Sequence, residues 1–170
     1  MGDHAGAAAG GRSLDMASDD LPNRDLLIML MTQGIPFNRL LGMEVTLLER
    51  GRVRLEVPFR DELIGDPTRP ALHGGVLSAL IDTTGGAACF SLVELPRDRL
   101  STLDLRIDYL RPGKLRRIAA EANVTRMGNR VASVDIACFH PDEPSVLIAT
   151  GKGVYNIRRG RDPSQPGQAQ

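Results

Sequence analysis

The segment LHGGVLSALIDTTGGAACFSLVEL, residues 72–95, constrains this chain more than any other. After its opening His-Gly-Gly it is apolar or small on nearly every side, and a helix with no polar face has to be surrounded by protein. It is not a membrane span, because residues 74–93 carry four glycines and the carboxylate Asp82. Gly85 and Gly86 fall inside the apolar run at about 1 kcal/mol each relative to alanine. That cost predicts close backbone approach by neighbouring strands. The other reading, in which DTTGG is a turn between two short helices, stays open at this point.

The rest of the chain reads as the surrounding layer. Residues 24–41 place Leu26, Leu27, Leu30 and Met31 at helical spacing until Gly34 and Pro36 interrupt, which predicts a short helix and then a turn. From Met43 the period becomes two. Met43, Val45 and Leu47 alternate with Glu44 and Thr46, and Val53, Leu55 and Val57 alternate with Arg52, Arg54 and Glu56 across Gly51, as in a hairpin with one buried face. RDELIGDPTRPA reads as a loop by its Gly, Asp and prolines. After the apolar segment come four more strands. Leu103, Leu105, Ile107 and Tyr109 alternate with Thr102, Asp104, Arg106 and Asp108. A second strand is built on Ile118, Ala120, Ala122 and Val124. The third, residues 131–139, is apolar enough to be covered on both faces, and the last spans about 146–157. The order predicts an α+β fold in which one long central helix is wrapped by a curved antiparallel six-stranded sheet.

Composition narrows the partners. Twenty-one basic residues balance twenty-one acidic ones, which removes the electrostatic case for nucleic acid or an anionic membrane as the main partner. The chain has no Trp, two Tyr and four Phe, so its core is aliphatic. Cys89 and Cys138 show no ligand or CxxC spacing and read as core filler in a reducing cytoplasm. His4, His73 and His140 form no ligand cluster, so neither metal nor cofactor is expected. Residues 1–20 and 159–170 are small, polar and Gly/Pro-rich, and read as disordered tails around a single domain, 21–158.

Asp82 is the residue that wants a reason. An isolated carboxylate in an apolar interior costs several kcal/mol unless it is bonded, paired or protonated. On residue physics alone it is either the N-cap of a second helix starting at Thr83 or a functional acid. Ahead of it, His73-Gly74-Gly75 opens the apolar segment, and glycines at a helix N-terminus let backbone N–H groups approach an anion. Ser78, one turn before Asp82, lies on the same face as a pocket-lining or close-packing residue.

Taken together, LHGGVLSALID, the small-residue helix, STLDLRIDYLRPG and RMGNRVASV resemble the acyl-CoA thioesterases of the hotdog fold, in particular the PaaI-type branch, over roughly residues 24–157. The resemblance implies hydrolysis of an aryl- or medium-chain acyl-CoA to free acid and CoA. It implies Asp82 as general base or nucleophile, Gly74 N–H as oxyanion donor, His73 fixing that turn, and Thr102 helping to hold the water. Arg111 of YLRPG and Arg126, Gly128 and Asn129 of the RMGNR turn resemble regions that contact CoA, and Gly75 and Ser78 fall at the substrate. It further implies a homodimer or dimer of dimers, Asp82 of one subunit facing Gly74 of the other.

The chain departs from that pattern at one point. An Asn often precedes the HGG, and GDPTRPALHGG has none; Asp66 or Thr68 is the available substitute. The departure keeps a non-catalytic acyl-CoA-binding or sensing module as the alternative. A hotdog dehydratase would need a histidine base beside an acid, and His73 stands in a glycine turn instead.

Overall fold

The computed structural model describes Leu21 and residues 23–160. The expected tails, 1–20 and 159–170, lie outside the described residues except for Arg159 and Gly160. The chain begins with two short helices, α1 (Arg24–Met29) and α2 (Pro36–Leu41). These lead into the hairpin of β1 (Glu44–Glu49) and β2 (Arg52–Val57). A small two-stranded sheet follows, β3 (Ile64–Asp66) with β4 (Ala71–Leu72). Then comes the long helix α3 (Gly74–Phe90), and after it β5 (Arg99–Tyr109), β6 (Ile118–Met127), β7 (Val131–Phe139) and β8 (Leu147–Arg158). The six main strands pair antiparallel in the order β1-β2-β6-β7-β8-β5. This is the α+β hotdog-like arrangement, a long helix packed on a curved antiparallel sheet.

Alternation explains the contact. The inward residues Val53, Leu55, Val57, Ala120, Ala122, Val134, Ile136 and Cys138 are buried, and they meet Leu77, Leu80, Ile81, Thr84, Ala87 and Ala88 of α3 in one core. Apolar area removed from water at about 25 cal/mol per Å² is what holds the two layers together. Bulges at Thr46, Leu103 and Thr125 interrupt the ladders, and each extra residue bends its strand and increases the twist. Cys89 and Cys138 are buried free thiols, and burial pushes each up to about 12. They are packing residues.

The structure corrects four expectations. The helix of 24–41 does not stop at Gly34. A π-helical turn (Leu30–Gly34) carries it to Ile35, and Pro36 starts α2, because proline suits a helix's first position; Asn38 Nδ2 ties the two by donating to Met31 O (3.0 Å). The loop ahead of His73 contains the β3–β4 hairpin, whose sequence lacks strand-like alternation. β7 is covered on one face only: Ala132, Val134, Ile136 and Cys138 are buried, whereas Val131 and Asp135 are exposed. Finally, α3 is not enclosed on every side. The sheet covers half of it and leaves a stripe, Gly75, Ser78, Ala79, Asp82, Thr83 and Gly86, at least partly open. That stripe recurs every three or four residues, the spacing of one helix face.

Among the described residues no helix is long and apolar enough to cross a membrane. The basic cluster after β5 is absorbed in ion pairs: Lys114 with Glu143, Arg116 with Asp142 and Glu143, Arg117 with Glu44 and Glu56.

Candidate active site

α3 is one continuous helix through Asp82, Thr83 and Thr84, which removes both the two-helix reading and the cap reading of Asp82. The carboxylate projects from the open stripe at mid-helix and meets the sheet edge. Thr102 Oγ1 of β5 donates to Asp82 Oδ1 (2.9 Å). Tyr155 Oη of β8 donates to the Asp82 main-chain oxygen (2.9 Å) and lies 3.4 Å from Oδ1. Asp82 Oδ2 accepts no hydrogen bond from any described residue.

The bulge explains how Thr102 gets there. Strict alternation puts Thr102 on the face of Asp104, Arg106 and Asp108, away from the helix. The pairing shifts between Thr102↔Tyr155 and Asp104↔Val154, so Leu103 is the extra residue, and Thr102 turns inward beside Tyr155. Gly85 has a related cause. A Cβ there would stand 2.2 Å from Tyr155 Oη, so the mid-helix glycine admits a side chain and not, as expected from the sequence, strand backbone.

The second group lies at the start of α3. His73 is its N-cap, in extended conformation (φ −63, ψ 131), and its Nδ1 accepts from Gly75 N (2.8 Å); the remaining ring proton is therefore on Nε2. With Gly75 N–H taken by His73, Gly74 N–H is the donor with no acceptor among the described residues, at the end of a helix whose dipole favours negative charge. The turn is held from below, since His73 N donates to Leu63 O (2.8 Å) and Gly65 lies directly under His73, where a Cβ would come within 2.7 Å of its Cα. Ser78 Oγ donates to Gly74 O (3.0 Å), and its oxygen lies 2.5 Å from Tyr109 Oη. Beside this turn opens a cavity of about 500 Å³ lined by Phe37, Leu40, Leu41, Leu63, Ile64 and Val76. A hollow of about 550 Å³ on the outer face of the sheet, over Arg54, Glu121 and Lys152, has neither Asp82 nor the glycine turn in its wall.

The remaining expected residues are scattered by the fold. Asp66 and the neighbouring Thr68 satisfy each other: Asp66 Oδ1 accepts from Thr68 Oγ1 (2.6 Å) and Thr68 N (2.8 Å). The Thr68 hydroxyl and then its amide hold the Asp66 carboxyl below the usual carboxylate range. Arg111 follows β5 at the end where Tyr109 covers Gly74. Arg126, Gly128 and Asn129 lie at the other end, where Ile157 N donates to Arg130 O (2.7 Å), so one protomer does not bring them together with Arg111. Asn129 lines a basic hollow of about 440 Å³ with Arg130, Asn156, Arg158 and Arg159. Tyr155 is the contact that residue patterns missed; the signal was the glycines around it in α3 and in the strand GKGVYNI.

The comparisons with known proteins agree with this architecture. Residues 70–146 match the thioesterase superfamily model. The chain is 33% identical over 135 residues to the medium/long-chain acyl-CoA thioesterases YigI of Escherichia coli K12 and Salmonella typhimurium, covering 72% of this chain and 86% of each relative. A crystal structure from Shewanella oneidensis, described as related to the thioesterase superfamily, superposes with TM-score 0.71 at 28% identity, over 79% of this chain and 94% of its own. A thioesterase family protein from Silicibacter pomeroyi, 24% identical, has the same fold at TM-score 0.72, over 80% of this chain and 98% of its own. An unbroken apolar helix behind a His-Gly-Gly cap, laid on this six-stranded sheet, is therefore a family trait, and the chain belongs to the hotdog-fold thioesterase superfamily, related to the YigI-type acyl-CoA thioesterases.

Proposed function

We propose that the protein hydrolyses aryl- or medium-chain acyl-CoA to the free acid and CoA in a site shared by two copies of the chain. One observation carries the shared site. The Gly74 N–H and the Asp82 carboxylate are the two groups left available, yet eight residues of helix separate them by about 12 Å at 1.5 Å per residue. Groups that far apart do not meet at one carbonyl carbon. The open stripe of α3 and the edge strand β5, exposed along most of its length, are surfaces that a second copy covers, which sets Asp82 of one chain against Gly74 of the other.

In this reading the thioester carbonyl oxygen rests on Gly74 N–H at the α3 N-terminus, where negative charge develops. Asp82 Oδ2 takes the proton of a water that adds to the carbonyl carbon, or adds to that carbon itself. The tetrahedral intermediate then expels the CoA sulfur, and the proton passes to the thiolate. The acyl chain occupies the apolar cavity behind Gly75 and Val76. The CoA nucleotide runs toward the RMGNR turn, where Arg130 and Arg158 face its phosphates. Placement in the PaaI-type branch, a cytoplasmic location suited to buried free thiols, and a dimer or dimer of dimers belong to the same proposal. The mutual engagement of Asp66 and Thr68, which leaves the missing Asn without a substitute, favours a second reading as an acyl-CoA-binding module.

Thiol release measured over an aryl and aliphatic acyl-CoA panel, with Asp82→Ala alongside, tests the proposal. The expected result is turnover of at least one aryl or medium-chain substrate, reduced about a thousandfold or more in Asp82→Ala. Equal rates in both proteins remove Asp82 from the mechanism, and tight binding without turnover by the wild type selects the binding module.

A further inference from the structure

We infer that Tyr155 is a positioning residue for the reactive carboxylate: it holds Asp82 by the main-chain oxygen and Oδ1, so that Oδ2 is the oxygen presented to water or thioester. The inference rests on the hydrolytic reading above and deepens it.

Three observations support it. The first is contact at both ends of one residue, 2.9 Å to Asp82 O and 3.4 Å to Oδ1, with Thr102 Oγ1 on the same Oδ1 at 2.9 Å. A carboxylate held by two groups on one oxygen has its rotamer fixed and its other oxygen free, which is the preorganisation a base or nucleophile needs. The second is the space made for the phenol. Tyr155 is 1% exposed. A Cβ at Gly85 would stand 2.2 Å from its Oη, and one at Gly153 2.6 Å from its Cε2. Helix and strand interiors both disfavour glycine, so two of them around one hydroxyl mark a fitted slot. The third is that the hydroxyl is a permanent donor. Burial, and then the charge of Asp82, push the phenol far above its ordinary range.

The surroundings contain nothing that duplicates this role. Thr102 faces Asp82 from β5 and Tyr155 from β8; the other titratable group acting on the phenol, Cys89 of α3, stays a thiol. Among the described residues Asp82 forms no ion pair.

Tyr155→Phe keeps the ring and deletes the donor. Three measurements on it and the wild type decide the matter: kcat and KM for the best acyl-CoA, the pH profile of kcat, and the Asp82 carboxyl titration followed by ¹³C NMR on Asp-labelled protein. The expected result is a kcat about tenfold lower with KM within about twofold, and both the acid limb and the Asp82 titration moved to higher pH because the anion has lost a donor. Gly85→Ala, which crowds the hydroxyl off its position while leaving the tyrosine, is expected to move the titration the same way. Unchanged kcat and unchanged titration in a folded Tyr155→Phe, whatever its Tm, overturn the inference. The titration needs no turnover: a wild type inert toward every acyl-CoA refutes the hydrolytic reading alone, and the NMR result still decides whether Tyr155 sets Asp82.

Discussion

Gly74→Pro deletes the backbone N–H that no side-chain substitution reaches, and the local geometry allows it. Gly74 is the first residue of α3, the helix position proline favours. His73 before it already has the extended backbone, φ −63 and ψ 131, that a residue preceding proline adopts. A Cβ at Gly74 meets nothing nearer than Tyr109 Cε1 at 3.6 Å. Fold stability is therefore expected to hold or to rise by about 0.4–1 kcal/mol, since proline narrows the unfolded ensemble. The loss of one oxyanion donor is worth about 2.7–4 kcal/mol in the transition state, so kcat should fall about a hundred- to a thousandfold. A thiol-release assay at saturating acyl-CoA reads this, with a thermal melt as the folding control. Co-refolding Gly74→Pro with Asp82→Asn then tests the shared site. In a two-fold dimer, half of the randomly formed pairs are mixed, and each mixed pair holds one site with both groups intact, so activity returns to about a quarter of wild type. A folded Gly74→Pro with wild-type kcat refutes the oxyanion assignment. Mixtures that stay as inactive as their parents refute the cross-subunit geometry.

Two further outcomes follow from the same contacts. Thr102→Val removes the 2.9 Å hydrogen bond to Asp82 Oδ1 without changing shape; kcat is expected to drop about tenfold with little change in Tm, and an unaltered kcat shows that Tyr155 alone suffices. Asp98 is buried and accepts from Arg159 Nη1 (2.7 Å), Gly160 N (3.1 Å) and Glu94 N (3.2 Å), pinning the end of β8 to the start of β5. Burial would raise its pKa, but the Arg159 hydrogen bond and the two amides outweigh it and hold the carboxyl below its usual range. A depressed carboxylate stabilises the fold above its unfolded pKa, about 3.9, and loses that contribution as pH falls through the folded value. Asp98→Ala should therefore cost about 2–3 kcal/mol at pH 7, less than a fully buried pair because Arg159 is partly exposed. The Tm gap between variant and wild type should narrow below about pH 4; a gap independent of pH refutes the assignment.

Particular residues separate what was readable in sequence from what was not. The hairpin of β1 and β2 and the strands β6 and β8 follow alternation, because a half-buried strand writes its faces into neighbouring residues. Thr102 does not follow it: one bulged residue, Leu103, reverses the face of everything before it, and a bulge leaves no mark in composition. The glycines of α3 were visible, but their occupant was not, since Tyr155 in a buried strand reads like any core residue. The β3–β4 hairpin carries proline and glycine where alternation would be expected. It forms because it supports the His73 turn.

The amino-acid order by itself determined the sequence of elements, the aliphatic core, the unbroken apolar helix and the single acid within it, since periodicity and burial cost are properties of short stretches. The tertiary structure alone decided which strand is the edge, which oxygen of Asp82 is held, what fills the space above Gly85, and that Gly74 and Asp82 of one chain stand too far apart to meet. Those are relations between residues 20 to 73 positions apart, or along the rigid length of a helix, and they exist only after the sheet has closed over α3.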